Sequence, residues 1–191
     1  MQFKFENEKM KKSIAFILLI VIGVSAYPQS AVPSENSAVK WYTIQEAEKL
    51  NKQNPRPIFV DTYTAWCGWC KKMDRETFTN KVISDILNSK FYPVKFDAEG
   101  SDSITFYGQK YINDGKAGKA HQFAVALLQG QLSYPTVVFI IPANDGRLQA
   151  QPVPGFRPAK DMDALLSFFA ERVYNTKTFE DYQKTFQGKV Q

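Results

Sequence analysis

The sequence predicts an α/β domain, a central sheet flanked by helices, on three observations. The run Pro57 to Tyr63 (PIFVDTY) is β-rich and apolar on both alternations, as in a central strand covered on two faces. It passes at once into residues whose spacing from Gly68 is helical (Met73, Thr77, Phe78), and a further β-rich run, Phe91 to Asp97 (FYPVKFD), follows the next helix. A third, Thr136 to Ile141, meets the turn Asn144-Asp145-Gly146 and a hairpin partner, Arg147 to Val153, which adds an antiparallel pair.

The other elements follow in order. Thr43 with Glu46 three residues later forms a capping box that opens a helix to about Lys52, and Pro55 and Pro57 end it. Lys81 to Lys90 continues or restarts the helix after Gly68, and Ala117 to Gln129 reads as a third helix with Phe123, Leu127 and Leu128 on one side. Pro158 starts a helix carrying Met162, Leu165, Leu166, Phe169 and Val173. From Asn175, the spacing of Phe179, Tyr182 and Phe186 predicts one more amphipathic helix. Residues 101–116, between strand and third helix, read as an insertion whose Phe106, Tyr107, Tyr111 and Ile112 either pack on the surface or serve a partner.

Length and composition bound the function. At ~100 to 200 residues per domain, 191 residues make one domain, and 44% apolar with 14% aromatic residues excludes a disordered chain. Two cysteines and one histidine are too few for a disulfide scaffold or a four-ligand zinc site. Lys9, Lys11 and Lys12 precede an apolar run from Ile14 to Val24 and the small residues Ser25-Ala26, the three parts of an export signal cleaved near Ala26. That run is about half of the ~20 residues needed to cross a bilayer, so a permanent anchor is the weaker reading. Met10 is a second candidate initiator, and either start gives the same mature chain. Residues 1–26 are thus expected to be a signal peptide, residues 27–40 (YPQSAVPSENSAVK) a flexible linker, and 41–191 the folded domain in a periplasmic or secreted setting. Removing the signal takes away four Lys and two Glu, so the net charge of +5 falls to +3. No basic cluster interleaved with aromatics is present, and a nucleic-acid partner is not expected.

The chemistry lies in Ala65-Trp66-Cys67-Gly68-Trp69-Cys70. Cys67 sits at a strand-to-helix junction, where unpaired N–H groups and the positive end of the helix dipole favour a thiolate. A pKa lowered from ~8.5 to ~7 would raise the thiolate fraction at pH 7 from about 3% to about half. Cys70 is one helical turn on, on the same face, and close enough for a disulfide. A staple over so short a loop contributes only about 2 kcal/mol, and buried apolar thiols need no glycine between them. A soft-metal site such as copper(I) has no histidine nearby and at most Met73 to complete it. Redox chemistry is the leading reading; structure alone and copper(I) handling are the others. His121 could pair with a nucleophilic cysteine, but a partly exposed helix histidine is the simpler reading.

FVDTYTAWCGWCKKM resembles the thioredoxin superfamily signature, in which a buried aspartate on the central strand precedes the W-C-x-x-C site by the six residues that separate Asp61 from Cys67. Ser133-Tyr134-Pro135-Thr136 resembles that family's cis-proline loop, and Gly155 matches a glycine near its active-site surface. More narrowly, WCGWCKKMDRETF with FYPVKFD is similar to secreted bacterial thioredoxins related to the C-terminal periplasmic domain of the transmembrane disulfide reductase. The resemblance implies the thioredoxin fold, a mixed sheet flanked by helices, with residues 101–116 inserted and 175–191 appended. It implies Cys67 as nucleophile, Cys70 as resolving thiol, Asp61 as proton acceptor facing Lys95, and Trp66, Gly68, Trp69, Tyr134 and Pro135 at the substrate. Against these stand a solvated strand-end Asp61 and an edge-strand Lys95. The expected activity is thiol-disulfide exchange, leaning to reduction, without a cofactor. Its substrates would be protein or peptide disulfides, with a membrane electron donor and a monomeric chain. A copper(I) metallochaperone and a non-catalytic partner-binding module are the alternatives.

Overall fold

Alternate residues of one strand explain the two-sided architecture. In β1 (Ile58–Tyr63), Phe59 and Asp61 face one way, Ile58, Val60 and Thr62 the other, and all five are buried. The computed structural model describes residues 38–142 and 147–190; the expected signal peptide, most of the linker and the turn at 144–146 lie outside them. β1 pairs in parallel with β2 (Tyr92–Asp97) and antiparallel with β5 (Thr136–Pro142), which pairs antiparallel with β6 (Leu148–Pro154). The sheet is therefore mixed, in the order β2-β1-β5-β6.

On the Phe59 face, Phe139, Met73, Leu87 and Leu166 form a core beneath α2 (Gly68–Glu76), α3 (Lys81–Lys90) and α5 (Ala159–Ala170). The rings of Phe139 and Phe169 stack there at 3.9 Å. On the Val60 face, Val94, Phe96, Val138 and Ile140 pack under α1 (Ile44–Gln53), α4 (Gln122–Leu127) and a hairpin. The Thr43–Glu46 capping box forms as predicted. Between α2 and α3 the helix restarts, because the Asn80 side chain accepts from the amides of Val82 and Ile83.

Four sequence expectations need correction. Residues 38–40 are not free linker: Asn88 on α3 accepts from the Lys40 amide and donates to the Ala38 carbonyl, and Val39 enters the core. The third helix begins at Gln122, not Ala117. The His121 amide donates to the Ala98 carbonyl (2.7 Å), which ties that residue to the end of β2, and the imidazole caps the helix by accepting from the Phe123 amide. His121 is thus buried with both ring nitrogens engaged, the second 2.9 Å from the Asp102 carbonyl, and is neither an exposed helix residue nor a partner for a thiolate.

The insertion contains a hairpin, β3 (Ile104–Phe106) and β4 (Gln109–Tyr111). Its turn places Tyr107 (φ 47°) and Gly108 (φ 82°) in the left-handed region, the mirror-image geometry that suits hairpin twist. Phe106 and Tyr111 pack on Phe123, while Tyr107 and Ile112 stay exposed. Finally, Val173 lies outside α5. Arg172 adopts φ 57° and ends the helix, a 3-10 turn covers Val173–Asn175, and the last helix, α6, is Phe179–Thr185. Phe179 and Tyr182 pack on Phe168 of α5.

Candidate active site

The end of β1 delivers Cys67 to the N-terminus of α2, where it is the capping residue. Its Sγ accepts from the Cys70 amide at 3.0 Å, so the sulfur does what a Ser or Asp oxygen does at other helix starts. Cys67 and Cys70 are joined in a disulfide with Cα atoms 5.3 Å apart, and only 4% and 2% of their surfaces are exposed. A Cβ built on Gly68, between them, meets nothing within 4 Å, and its φ is not left-handed. Gly68 is therefore not demanded by the backbone; it leaves open space beside the disulfide.

Two aromatic pairs flank this centre. Trp66, 64% exposed, meets Tyr134 edge to face at 6.1 Å, and its Nε1 donates to Glu99 Oε2 at 3.1 Å. Trp69, 59% exposed, meets Phe156 at 5.5 Å, with the Lys72 ammonium 5.2 Å and 5.3 Å from the two ring centres. The Tyr134–Pro135 bond is cis. The Pro135 carbonyl accepts from the Gly155 amide (2.8 Å), and Gly155 takes φ 93°, which only glycine adopts without strain.

Beneath the dithiol helix, Asp61 and Lys95 stand opposite each other in the β1–β2 register. Lys95 Nζ donates to Asp61 Oδ2 at 2.8 Å and also to Asp74 Oδ1 on α2. Lys95 does lie on an edge strand, yet its ammonium points inward among Trp41, Tyr63 and Phe78, whose ring centres are 5.1–5.6 Å away. Asp61 is fully buried, and its Oδ1 has no hydrogen-bond partner. Burial pushes its pKa up to about 6; Lys95 opposes that shift and the Asp74 charge adds to it. Burial tends to lower the Lys95 pKa, but Asp61 and Asp74 outweigh it and hold the ammonium above its ordinary value.

Sequence reasoning missed Asp74, Glu99, Lys72 and Phe156. Asp74 was within reach, since it lies four residues after Cys70 on the stripe that carries both cysteines. Glu99 and Phe156 come from loops distant in sequence, and nothing local announces their approach. Among the described residues, no group of three or more His, Cys, Asp or Glu side chains could hold a metal ion, and no helix is long and apolar enough to cross a membrane.

A family model, Thioredox_DsbH, described as a protein of unknown function, DUF255, matches residues 24–173. The chain belongs to this DsbH-like thioredoxin-fold family. The match takes in the disulfide, the Pro135 loop and the hairpin, and ends before α6. Human spermatogenesis-associated protein 20 is 41% identical over 82 residues, 42% of this chain and 10% of that protein. The thiol:disulfide interchange protein DsbD of Pectobacterium atrosepticum is 22% identical over 170 residues, 83% of this chain and 26% of that protein. The chain thus spans only a small part of these curated relatives. A thioredoxin-fold protein from Helicobacter pylori superposes with a TM-score of 0.50 at 20% identity, over 69% of this chain and 80% of that one. That likeness bears on the fold alone. The protein is therefore a thioredoxin-fold protein with a C-x-x-C disulfide.

Proposed function

We propose that the protein is a periplasmic thiol-disulfide oxidoreductase that reduces disulfides in polypeptides. The observation that carries this reading is the Cys67–Cys70 disulfide at the start of α2, the Cys67 sulfur already accepting an amide hydrogen bond. In the reduced protein, the Cys67 thiolate attacks one sulfur of a substrate disulfide. A Cys67–substrate bond forms, and the other substrate sulfur leaves as a thiolate that takes a proton from water. Cys70 then loses its proton to Asp61, directly or through a water, and attacks Cys67 Sγ. The Cys67–Cys70 bond closes, the second substrate sulfur departs, and two electrons have passed from protein to substrate. A pKa near 6 leaves Asp61 ionised at pH 7 yet far more basic than an ordinary aspartate. A dithiol donor at the membrane would reduce the site again, and the chain would act as a monomer.

The test is made on protein exported to the periplasm of an expression host, whose mature chain is expected to begin at Tyr27. With dithiothreitol as reductant, it should reduce insulin well above background, and Cys67→Ser should not. Equal rates for the two would sink the catalytic reading. A reduction potential near the about −120 mV of the strongest periplasmic oxidants, rather than the about −270 mV of thioredoxin, would reverse the proposed direction.

A further inference from the structure

The two aromatic pairs beside the disulfide differ in charge. Trp66 and Tyr134 are backed by carboxylates: Glu99 holds the indole, and after burial the charges of Glu99 and Asp97 are what push the Tyr134 phenol further up. Trp69 and Phe156 lie under an ammonium, Lys72, whose nearest carboxylate, Glu76, is 3.7 Å away one helical turn below in an exposed pair of little strength. Both tryptophans are more than half exposed, a large apolar surface to leave in water unless something covers it. A polypeptide crossing the disulfide would rest on both pairs and bring its side chains within a Debye length, about 8 Å at physiological salt, of one carboxylate cluster and one ammonium.

We infer that Glu99 and Lys72 set substrate polarity: the chain docked across the two tryptophans carries a cationic side chain on the Trp66 side of its cysteine and an anionic one on the Trp69 side. The preferred substrates are therefore disulfides flanked by charges of opposite sign, read in one direction only. This rests on the dithiol-exchange reading above and adds the substrate class to it.

The test uses homodimers of a single-cysteine peptide joined by one disulfide, so that attack on either sulfur gives the same complex. Five peptides differ only two residues before and after the cysteine: Lys then Glu, Glu then Lys, Lys at both, Glu at both, and neither charged. With dithiothreitol as reductant, one of the two mixed orders is expected to exceed the uncharged peptide in kcat/KM by about fivefold, as two rim charge pairs allow, and the opposite order to fall below it. High salt should erase the difference. In Lys72→Glu the preference should move to the peptide with Lys on both sides, and in Glu99→Lys to the one with Glu on both sides. Values within twofold across the set, with turnover still dependent on Cys67, would overturn the polarity and leave the exchange reading standing. A wild-type preference for either uniformly charged peptide would overturn it as well. Absence of turnover above Cys67→Ser overturns both.

Discussion

A carboxylate enclosed on β1, with one oxygen held by Lys95 and the other unpaired, disfavours its own ionisation in the folded chain. The native pKa of about 6 exceeds the ordinary 3.8, so between those values the folded state binds more protons than the unfolded one. Asp61 therefore contributes stability that is present below pH 4, lost as pH rises through 6, and absent above. The shift corresponds to about 3 kcal/mol. Asp61→Asn should accordingly raise stability near pH 8 by about 2 kcal/mol and flatten the fall between pH 4 and 6, checked by urea unfolding at pH 5 and pH 8. An unchanged pH profile would show that Asp61 is not the group responsible. At this scale the sequence was informative wherever a residue broke a local pattern. Asp61 stood out as the one carboxylate in an apolar strand, and Lys95 by alternating with Val94 and Phe96. Lys72, Glu99 and Phe156 break no pattern, and their role at the rim depends on loops brought together by the fold.

Strands and helices with strong periodicity were readable to within a residue or two, as with β1, β2 and α1, because each is fixed by its own capping or alternation. The insertion was not. Its turn rests on Tyr107 adopting a left-handed φ, a conformation that a tyrosine does not advertise, and it is held from outside by α1, where Glu48 accepts from the Tyr107 amide and Asn51 from its hydroxyl. The C-terminal end was half legible: α6 showed its apolar stripe, but not what ties the chain down beyond it. There the buried Asp163 of α5 accepts from the amides of Lys189 (2.5 Å) and Val190 (3.0 Å), and a Cβ on Gly188 would come within 2.9 Å of the same carboxylate. Asp163→Ala should leave both amides unpaired, cost about 2 kcal/mol, and abolish their protection in hydrogen exchange without affecting amides of β1. Retained protection would place the anchor elsewhere, in the packing of α6 on Phe168.

Over the whole molecule, the alternation of strand and helix gave the α/β class, and the order of two short motifs gave the family. Both are long-range facts written locally, since a strand-to-helix junction must carry its cysteine and a strand start its proline. Net charge says little here, since the +5 of the full sequence falls to +3 without the expected signal segment; what bears on the site is local charge, Glu99 bonded to Trp66 and Lys72 over Trp69. The helix start, the buried Asp61 and the open rim have a common use only if Cys67 is the sulfur that meets substrate. Trapping decides this most directly. Incubated with a disulfide-bridged peptide, the Cys70→Ala variant should accumulate a mixed disulfide on Cys67, found by mass after digestion, while Cys67→Ala should form none. Absence of that adduct, or an equal yield on Cys70 in the Cys67→Ala protein, would contradict the account.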